Sequence, residues 1–550
     1  MTVATGSLAL ILHAHLPFVR HPEHENFLEE DWLFEAITET YLPLLRMMRQ
    51  LAEDGVAFRL TMSLTPTLCA MLRDELLQER YLRHLERMIG LAAQEIERHR
   101  SASGGHPQLL DLAHFYFEFF TAARAFYVNT LQRDVVRAFR ELQDSGYLEI
   151  MASAATHAFL PLLQQLPEAQ RAQIQIGCDN YREMFGRDPR GFWLPECGYA
   201  KGTDALLQEA NIRWFVLDSH GLMFSRPGPR HAIFAPCYSL AGPAVFGRDH
   251  ESTREVWSAE SGYPGDPVYR DFYRDVGFDR PEEELRPFLF PTGVRKFSGI
   301  KYHRVTGRTE EKEFYYPAAA RAAANEHADD FFEKRRARFR ELQESNFDPV
   351  IVSPFDAELF GHWWFEGPQF LGAIIDGAPE AGIRPELPSR YLREHPADHV
   401  ISLSEGSWGE GGGHQVWLNP ETRWTWEHVH RSEERYERLV RDAIGRPADP
   451  LLDRLLAQTG RELLLLEASD WQFLITTVAA RDYAEQRLSA HATDFDRLAS
   501  LAERRIQMGS LNQGDENFLS ECERRDSLFA DYDWRGHPAA GAPHTISAGG

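Results

Sequence analysis

Short apolar runs that end in polar side chains alternate with helical patterns between residues 7 and 352. The runs are four to six residues long, are rich in Val, Ile, Leu, Phe or Trp, and lie at 7–12, 57–62, 147–152, 190–194, 213–217 and 349–352. Continuous runs of this length are typical of strands buried on both faces. Apolar residues at helical spacing occupy 68–100, 111–143, 168–185 and 321–344. Strands that alternate with helices predict an α/β fold with a parallel sheet.

The polar residues after these runs indicate the kind of α/β fold. His13, His157, Glu196 and Asp356 each follow the end of a predicted strand. Catalytic groups at the carboxyl ends of several parallel strands are what a βα-barrel provides. We therefore predict a barrel-like catalytic domain over residues 1–400, with a helical insertion at about 68–143.

The rest of the chain divides into loops, helices and a tail. Residues 223–316 are rich in Gly, Pro, Tyr and Arg and have few periodic segments, which predicts long substrate loops. A Gly-rich loop with four Trp lies at 404–426, and helical patterns follow at 427–445, 450–466, 471–490 and 493–506. These predict a C-terminal helical domain over 401–530. Small and polar residues predict a disordered tail over 531–550.

Composition excludes several classes of partner. The chain has 59 Lys and Arg against 83 Asp and Glu, a net charge of −24, which argues against nucleic acid and anionic membrane surfaces. The five Cys are scattered without a C-x-x-C pair, so neither a disulfide framework nor a Cys-based zinc site is expected. There is no signal-like N-terminus and no apolar stretch of ~20 residues. We expect a soluble cytoplasmic protein with a neutral or cationic substrate.

Two carboxylates stand directly after apolar strands. Glu196 follows GFWLP at 191–195, and Asp356 follows a run that ends at Val352. A carboxylate is costly to desolvate without a function, although both could be surface loop acids. Two carboxylates in unlike surroundings are the equipment for glycoside chemistry. Glu358 competes with Asp356 for the second role on spacing alone.

His13 and His15 form a pair after the first strand. Strand alternation sends both side chains the same way, so both can face one cleft. They could hold a metal, contact a substrate, or be two satisfied polar side chains on a loop. Because no Cys/His/Asp cluster at ligand spacing completes a metal site, we favour substrate contact and expect no metal.

Four motifs in order resemble glycoside hydrolase family 57, and within it the 1,4-α-glucan branching enzymes. They are HAHLP at 13–17, WLPECGY around Glu196, SPFDAELFGHWW around Asp356 and ASDWQF around Asp470. The resemblance extends from about residue 7 to about 530. It implies a (β/α)7 barrel, that is, an incomplete TIM barrel, followed by a helical domain, with no metal or organic cofactor.

The resemblance also implies roles for individual residues. Glu196 matches the catalytic nucleophile, and Asp356 matches the general acid/base. The positions that match substrate-contacting residues are His13, Trp32, His157, Tyr238 on a mobile loop, Arg270, Trp408, Trp417 and Asp470.

The activity implied is cleavage of an α-1,4 bond of a linear glucan and transfer of the chain to an O6 hydroxyl, as in glycogen biosynthesis. Retaining double displacement of this kind requires two carboxyls ~5–5.5 Å apart. The expected partner is an α-1,4-glucan, and the expected state is a monomer or weak homo-oligomer. Three alternatives remain open. They are an α-amylase or 4-α-glucanotransferase of the same fold, a metal-dependent hydrolase using His13, His15 and His157, and a non-catalytic glucan-binding protein.

Overall fold

The computed structural model describes residues 6–101, 106–258, 261–288, 294–342 and 347–536. Its strands are β1 Gly6–Ala14, β2 Leu60–Leu64, β3 Leu148–Ser153, β4 Gly191–Trp193, β5 Trp214–Leu217, β6 Cys237–Ser239, β7 Ala244–Gly247, β8 Val350–Asp356, β9 Ile383–Pro385 and β10 Val400–Ile401. Strands therefore form at all six apolar runs predicted from the sequence.

The helices up to residue 223 are α1 Glu30–Ala36, α2 Leu42–Glu53, α3 Pro66–Arg73, α4 Glu75–Ser101, α5 Pro107–Ala125, α6 Val135–Asp144, α7 Pro167–Phe185, α8 Thr203–Glu209 and α9 Ser219–Met223. Those that follow are α10 His250–Trp257, α11 Val276–Asp279, α12 Glu282–Leu285, α13 Pro317–Leu342, α14 Gly367–Gly377, α15 Pro388–Glu394, α16 Arg423–Ala443, α17 Pro450–Leu466, α18 Asp470–Thr477, α19 Arg481–Met508 and α20 Gln513–Arg525. A π-helical turn, Ile37–Tyr41, joins α1 to α2.

The chain forms two compact units, each built from separate stretches. Unit 1 contains Met1–Ser63, Met71–Ile150 and Arg248–Pro396. Unit 2 contains Leu64–Ala70, Met151–Gly247 and Ala397–Gly550. The predicted division into a domain over 1–400 and one over 401–530 remains a prediction.

Unit 1 has a parallel sheet in which β1 lies between β8 and β9. All nine residues of β1 are buried, as expected of a strand covered on both faces. The register places His13 opposite Asp356, so two candidate site residues end neighbouring strands. The long helices α4 and α5, in the predicted insertion, pack against each other.

Unit 2 has a sheet in the order β3, β4, β5, β7, β6 and β10. Its pairs are parallel except for β6 with β7, which are antiparallel. Helix α7 packs closely on β3, because a methyl group at Gly177 would lie 2.0 Å from the Ser153 carbonyl oxygen. The carboxyl ends of β4 and β5 lead into Glu196 and Asp218.

The C-terminal helices of unit 2 share a core contributed by α16, α17, α19 and α20. Asp449 caps α17 by accepting hydrogen bonds from the backbone N–H groups of Leu451 and Leu452. A reciprocal capping box of Asn512 and Asp515 starts α20. These local signals confirm the helical character predicted for this region.

One prediction about secondary structure was wrong, and another was incomplete. A break between two helices was expected between residues 490 and 493, but α19 continues through these positions. The break instead falls between Val478, which has φ 56°, and Arg481, where α19 begins. Residues 223–316, predicted as loops, contain β6, β7, α10, α11 and α12. These elements are only three to eight residues long, too short to show a period in sequence.

Some predictions fall on residues outside the described part. These include most of the tail predicted over 531–550, of which only 531–536 are described, and the end of the helix predicted over 321–344. Among the described residues, no helix is long and apolar enough to cross a membrane.

Candidate active site

Glu196 sits on a sharp turn in unit 2, immediately after β4. The turn Pro195–Cys197 is 3-10 helical in its hydrogen bonding, yet Glu196 has φ 60° and ψ 23°. A non-glycine residue in the left-handed region costs free energy, and such strain is concentrated at functional sites. The next residue, Cys197, also has a positive φ of 50°. The turn therefore holds the Glu196 side chain in a direction that a regular turn would not give.

The Glu196 carboxylate is oriented by Trp408. The indole Nε1 of Trp408 donates a hydrogen bond of 2.6 Å to Oε2 of Glu196. The backbone N–H of Trp408 also donates to the Glu196 carbonyl oxygen at 2.9 Å. Trp193 packs edge-on against the Trp408 ring, with centroids 5.0 Å apart. The Glu196 side chain remains 17% exposed, so it is held in place without being sealed off.

His157 lies on the other side of this carboxylate. Its Nδ1 is 3.9 Å from Oε1 of Glu196 and 3.0 Å from the hydroxyl of Ser469, with which it shares a hydrogen bond. The backbone N–H of Ser469 also donates to the His157 carbonyl oxygen. Asp470 follows directly and begins α18. Unit 2 thus brings Glu196, His157 and Trp408 together, with Asp470 next to the partner of His157.

Two other predicted substrate contacts in unit 2 have different surroundings from those expected. Tyr238 was expected on a mobile loop, but it lies in β6, which pairs with both β7 and β10. Trp417 is 1% exposed and stacks on Phe159 at a centroid distance of 4.2 Å. The Trp417 ring therefore packs within the Gly-rich loop, against Phe159 and close to Gly409.

Asp356 ends β8 in unit 1 and is half-buried. Burial raises the pKa of Asp356 to about 6, while the Arg248 and His15 charges oppose the rise. A carboxyl with this pKa holds a proton in mildly acidic solution, where an ordinary Asp is ionised. Asp356 therefore has the property that a general acid needs.

Glu358, the other candidate for the role of general acid/base, is buried. The Tyr41 hydroxyl donates to Oε1 of Glu358 at 2.5 Å, and the His15 backbone N–H approaches the same oxygen at 3.3 Å. Burial raises the pKa of Glu358 to about 8, and the nearby Asp356 charge adds to the rise. Glu358 is a buried acid beside the candidate site.

His13 and His15 lie side by side, as strand alternation predicts. Their rings stack with centroids 5.9 Å apart, and His13 Nδ1 lies 3.2 Å from the Ser63 hydroxyl. Burial lowers the pKa of His13 well below its usual range, with a further contribution from His15. His13 is therefore neutral at physiological pH.

Trp32 and Arg270 lie in unit 1 but differ in exposure. Trp32 is half-buried on α1. The Arg270 side chain is 1% exposed, its Nη1 donates to Oε1 of Glu39 at 3.0 Å, and its guanidinium lies 3.9 Å from the Phe365 ring centroid. Arg270 therefore contacts the π-helical turn through Glu39, and its predicted contact with glucan stays a prediction.

Sequence reasoning missed Glu39 and Gly361. The Gly361 backbone has φ 127°, and a methyl group there would lie 1.8 Å from the Glu39 carbonyl oxygen. The GHWW segment therefore packs directly on the π-helical turn. The glycine was visible in the sequence, but its partner 322 residues away in the chain was not.

One group within unit 2 could hold a metal ion by distance. The ligand atoms of Glu462, His491 and Asp526 all lie within 4.8 Å of one another. Arg525 Nε lies 2.7 Å from Oδ2 of Asp526, and Arg487 lies 3.5 Å from Oδ1. These cations already neutralise the group, which makes it an ion-pair network of the helical core.

Comparisons with known proteins identify the family. The family model "Glycosyl hydrolase family 57" matches residues 9–404, and the model "1,4-alpha-glucan branching enzyme, C-terminal" matches residues 428–537. The chain belongs to glycosyl hydrolase family 57.

Its relatives include proteins named for two activities. The 1,4-alpha-glucan branching enzyme TK1436 of Thermococcus kodakarensis is 36% identical over 95% of this chain and 77% of the relative. The alpha-amylase AmyC of Thermotoga maritima is 40% identical, with a TM-score of 0.88 over 97% of this chain and 99% of the other. The GH57-type branching enzyme of Pyrococcus horikoshii is 36% identical, with a TM-score of 0.85 over 96% and 95%. These matches confirm the predicted fold class.

Proposed function

We propose that the protein is a 1,4-α-glucan branching enzyme that acts by retaining double displacement, with Glu196 as nucleophile and Asp356 as general acid/base. The observation that carries this proposal is the contrast between the two carboxyls. Glu196 accepts a hydrogen bond from an indole N–H and stays partly exposed, whereas burial favours the protonated form of Asp356.

The reaction has two steps. Asp356 donates its proton to the oxygen of the α-1,4 bond while a Glu196 oxygen attacks the anomeric carbon, giving a glucosyl ester and a shortened glucan. In the second step Asp356 removes the proton of an O6 hydroxyl, which attacks the same carbon and releases Glu196. Two inversions give net retention and an α-1,6 bond. The proton lost by Asp356 in the first step is regained in the second.

Asp356, and not Glu358, takes the acid/base role in this proposal. Glu358 is committed to Tyr41 and to the His15 backbone, and only 5% of the residue is exposed. An acid in that position cannot reach a sugar oxygen without breaking both contacts. Glu358 instead stays neutral and hydrogen-bonded next to Asp356, where it supports the site without taking part in the reaction.

The remaining candidates take substrate-binding or supporting roles. We assign glucan contact to His13, His15, Trp32, His157, Tyr238, Trp408 and Asp470. We assign support to Arg270 and Trp417, because the Arg270 guanidinium is held between Glu39 and the Phe365 ring and the Trp417 ring stacks on Phe159. A branching enzyme of this kind acts in glycogen synthesis in the cytoplasm, which is part of the proposal.

An α-amylase is the second candidate, favoured by the 40% identity to AmyC. Both activities share the glucosyl ester and differ only in whether water or O6 attacks it. The C-terminal match at residues 428–537 supports the branching enzyme.

Linear amylose separates the two candidates. We expect new α-1,6 linkages by proton NMR and, after debranching, short chains; an α-amylase gives reducing ends without α-1,6 signals. Glu196→Gln and Asp356→Asn should each remove most turnover. Glu358→Gln is the matched control, because it changes a neighbouring acid outside the proposed chemistry. A Glu196→Gln protein with near wild-type turnover would contradict the assignment.

A further inference from the structure

A small cavity lies directly behind the Glu196 turn and is wholly within unit 2. It is a narrow crevice rather than an enclosed void, and it is lined by three stretches of chain. Cys197 and Tyr199 come from the Glu196 turn, Asp218 and His220 follow β5, and Gly406 and Ser407 come from the Gly-rich loop. The cavity therefore joins the candidate nucleophile to the loop that carries Trp408.

His220 belongs to α9, and its ring lies against this loop. Its Nδ1 lies 3.0 Å from Oδ1 of the buried Asp218. A methyl group built on Gly406 would lie 2.1 Å from His220 Nε2, and one built on Gly412 would lie 3.0 Å from Cε1. The ring thus fills the volume left by two glycines that lack side chains.

The Gly-rich loop connects the His220 ring to Glu196 through a series of hydrogen bonds. Gly406 and Tyr199 exchange two backbone hydrogen bonds of 2.9 and 3.1 Å. The Ser407 N–H donates to the Gly412 carbonyl oxygen at 3.0 Å, which closes the loop on itself. Trp408 comes next and donates to Glu196 from both its backbone and its indole. A shift of the Gly406–Gly412 segment therefore moves the donor that orients the carboxylate.

We propose that His220 is a positioning residue, which Asp218 orients and which holds the Gly406–Gly412 segment where Trp408 donates to Glu196. This inference rests on the proposed function, because it matters only if Glu196 attacks the sugar. His220 itself lies behind the turn and does not contact the reacting atoms.

The charge on the ring favours this role. A protonated imidazole has an N–H at both edges, whereas a neutral one has a single N–H and cannot donate to Asp218 and to the loop together. The hydrogen bond to Asp218 raises the pKa of His220 against the effect of burial, and the Gly412 carbonyl adds to the rise.

In the part of the chain that the structure describes, Asp218 is the charged group that contacts the ring. Cys197 and Tyr199 line the same cavity, and burial raises the pKa of Tyr199, which keeps it neutral. Glu405 and Glu410, the acids of the loop, are exposed. Deprotonation of His220 at alkaline pH therefore removes one of its two contacts.

The first test is the steady-state kinetics of His220→Gln on amylose. We expect kcat to fall about tenfold with KM within about twofold, because the lost contact orients a charged group in the chemical step and does not bind glucan. The wild-type kcat should show an extra alkaline fall that His220→Gln lacks. Glu410→Gln, on the same loop but exposed, should match the wild type.

A double-mutant cycle separates positioning from general destabilisation. If His220 acts through Trp408, then His220→Gln adds little to the loss already caused by Trp408→Phe. Full additivity, or a His220→Gln enzyme with wild-type kcat and alkaline profile, would overturn the inference. If His220→Gln fails to fold, Gly406→Ala decides, since its methyl group displaces the ring while His220 is retained.

Failure of the proposed function gives a different result. A wild-type protein that forms no α-1,6 linkages from amylose, or a Glu196→Gln protein that turns over, contradicts the proposed function. A wild type that branches, an inactive Glu196→Gln and a fully active His220→Gln contradict the positioning role alone.

Discussion

Replacing Arg270 by Met should destabilise unit 1 strongly. Burial alone would raise the pKa of Glu39, but the Arg270 charge, a His362 hydrogen bond and Lys301 lower it from 4.5 to about 2. That fall corresponds to roughly 3 kcal/mol in favour of the ionised form. Removing the cation leaves a buried, poorly compensated carboxylate, and breaking such pairs typically costs ~3–5 kcal/mol. We therefore expect Arg270→Met to lose about 3 kcal/mol of unfolding free energy at pH 7.

The effect has a defined pH dependence. A carboxyl with a lowered pKa contributes stability above its unfolded value of 4.5, and the contribution is lost as pH falls from 4.5 towards 2. The difference between Arg270→Met and the wild type should therefore be largest at neutral pH and shrink below pH 4.5. Adding Glu39→Gln to Arg270→Met should recover most of the loss, because the uncompensated charge is then absent.

The assay is urea unfolding by circular dichroism, combined with hydrogen exchange of the π-helical turn Ile37–Tyr41. Arg431→Met is the matched control, because Arg431 pairs with Asp496 at the surface of a C-terminal helix and is 56% exposed. Its loss should stay below ~1 kcal/mol. Equal stability of the two variants, or a difference that does not shrink at low pH, would refute the reasoning.

Three further predictions concern the candidate site. The rate profile of kcat/KM against pH should fall above a pKa of about 6, because Asp356 must be protonated to act as the acid, and the residual activity of Asp356→Asn, whose amide does not ionise, should lack this limb. Trp408→Phe keeps a ring but removes the indole donor to Glu196, so kcat should fall about tenfold with little loss of glucan binding in a pull-down on insoluble glucan. Glu358→Gln should keep wild-type activity at pH 6. Its stability relative to the wild type should improve between pH 4.5 and 8, because the raised pKa of about 8 makes ionisation of Glu358 costly in the folded wild type. An inactive Glu358→Gln would reopen the choice between Glu358 and Asp356.

The strand framework was predictable from sequence because each strand is a short apolar run with its polar residue at the carboxyl end. Parallel strands that are buried on both faces are typically continuous apolar runs, so a short run of this kind indicates such a strand. The segments missed at 237–239 and 244–247 are three and four residues long and lie among Gly and Pro. They pair with each other across a short turn, but β6 also pairs with β10, a strand far along the chain that no local period records.

Side-chain roles were harder to predict than positions. Arg270 and Trp417 were both expected to contact glucan, and both are 1% exposed. A motif states which residue follows which, whereas burial depends on what packs over it. Glu39 and Phe365 enclose Arg270, and Phe159 covers one face of Trp417. The signal for His220 was present, since Asp218 ends a predicted strand, but the two glycines that enclose the ring lie about 190 residues further along the chain.

The buried ion pairs of unit 1 fix the helix that carries Trp32. Asp31 precedes Trp32, and its carboxylate meets Lys296 Nζ at 2.6 Å and His84 Nδ1 at 3.5 Å. Since apolar replacements of buried pairs often leave stability unchanged or improve it, net stability is a poor explanation for keeping them. The buried Asp31–Lys296 ion pair does fix direction, because α1 must turn Asp31 towards Lys296 and the His84 ring for these contacts to form. In the proposed function Trp32 contacts a neutral glucan, which offers no charge to orient it, so these contacts on the neighbouring residue would set the direction of the Trp32 ring.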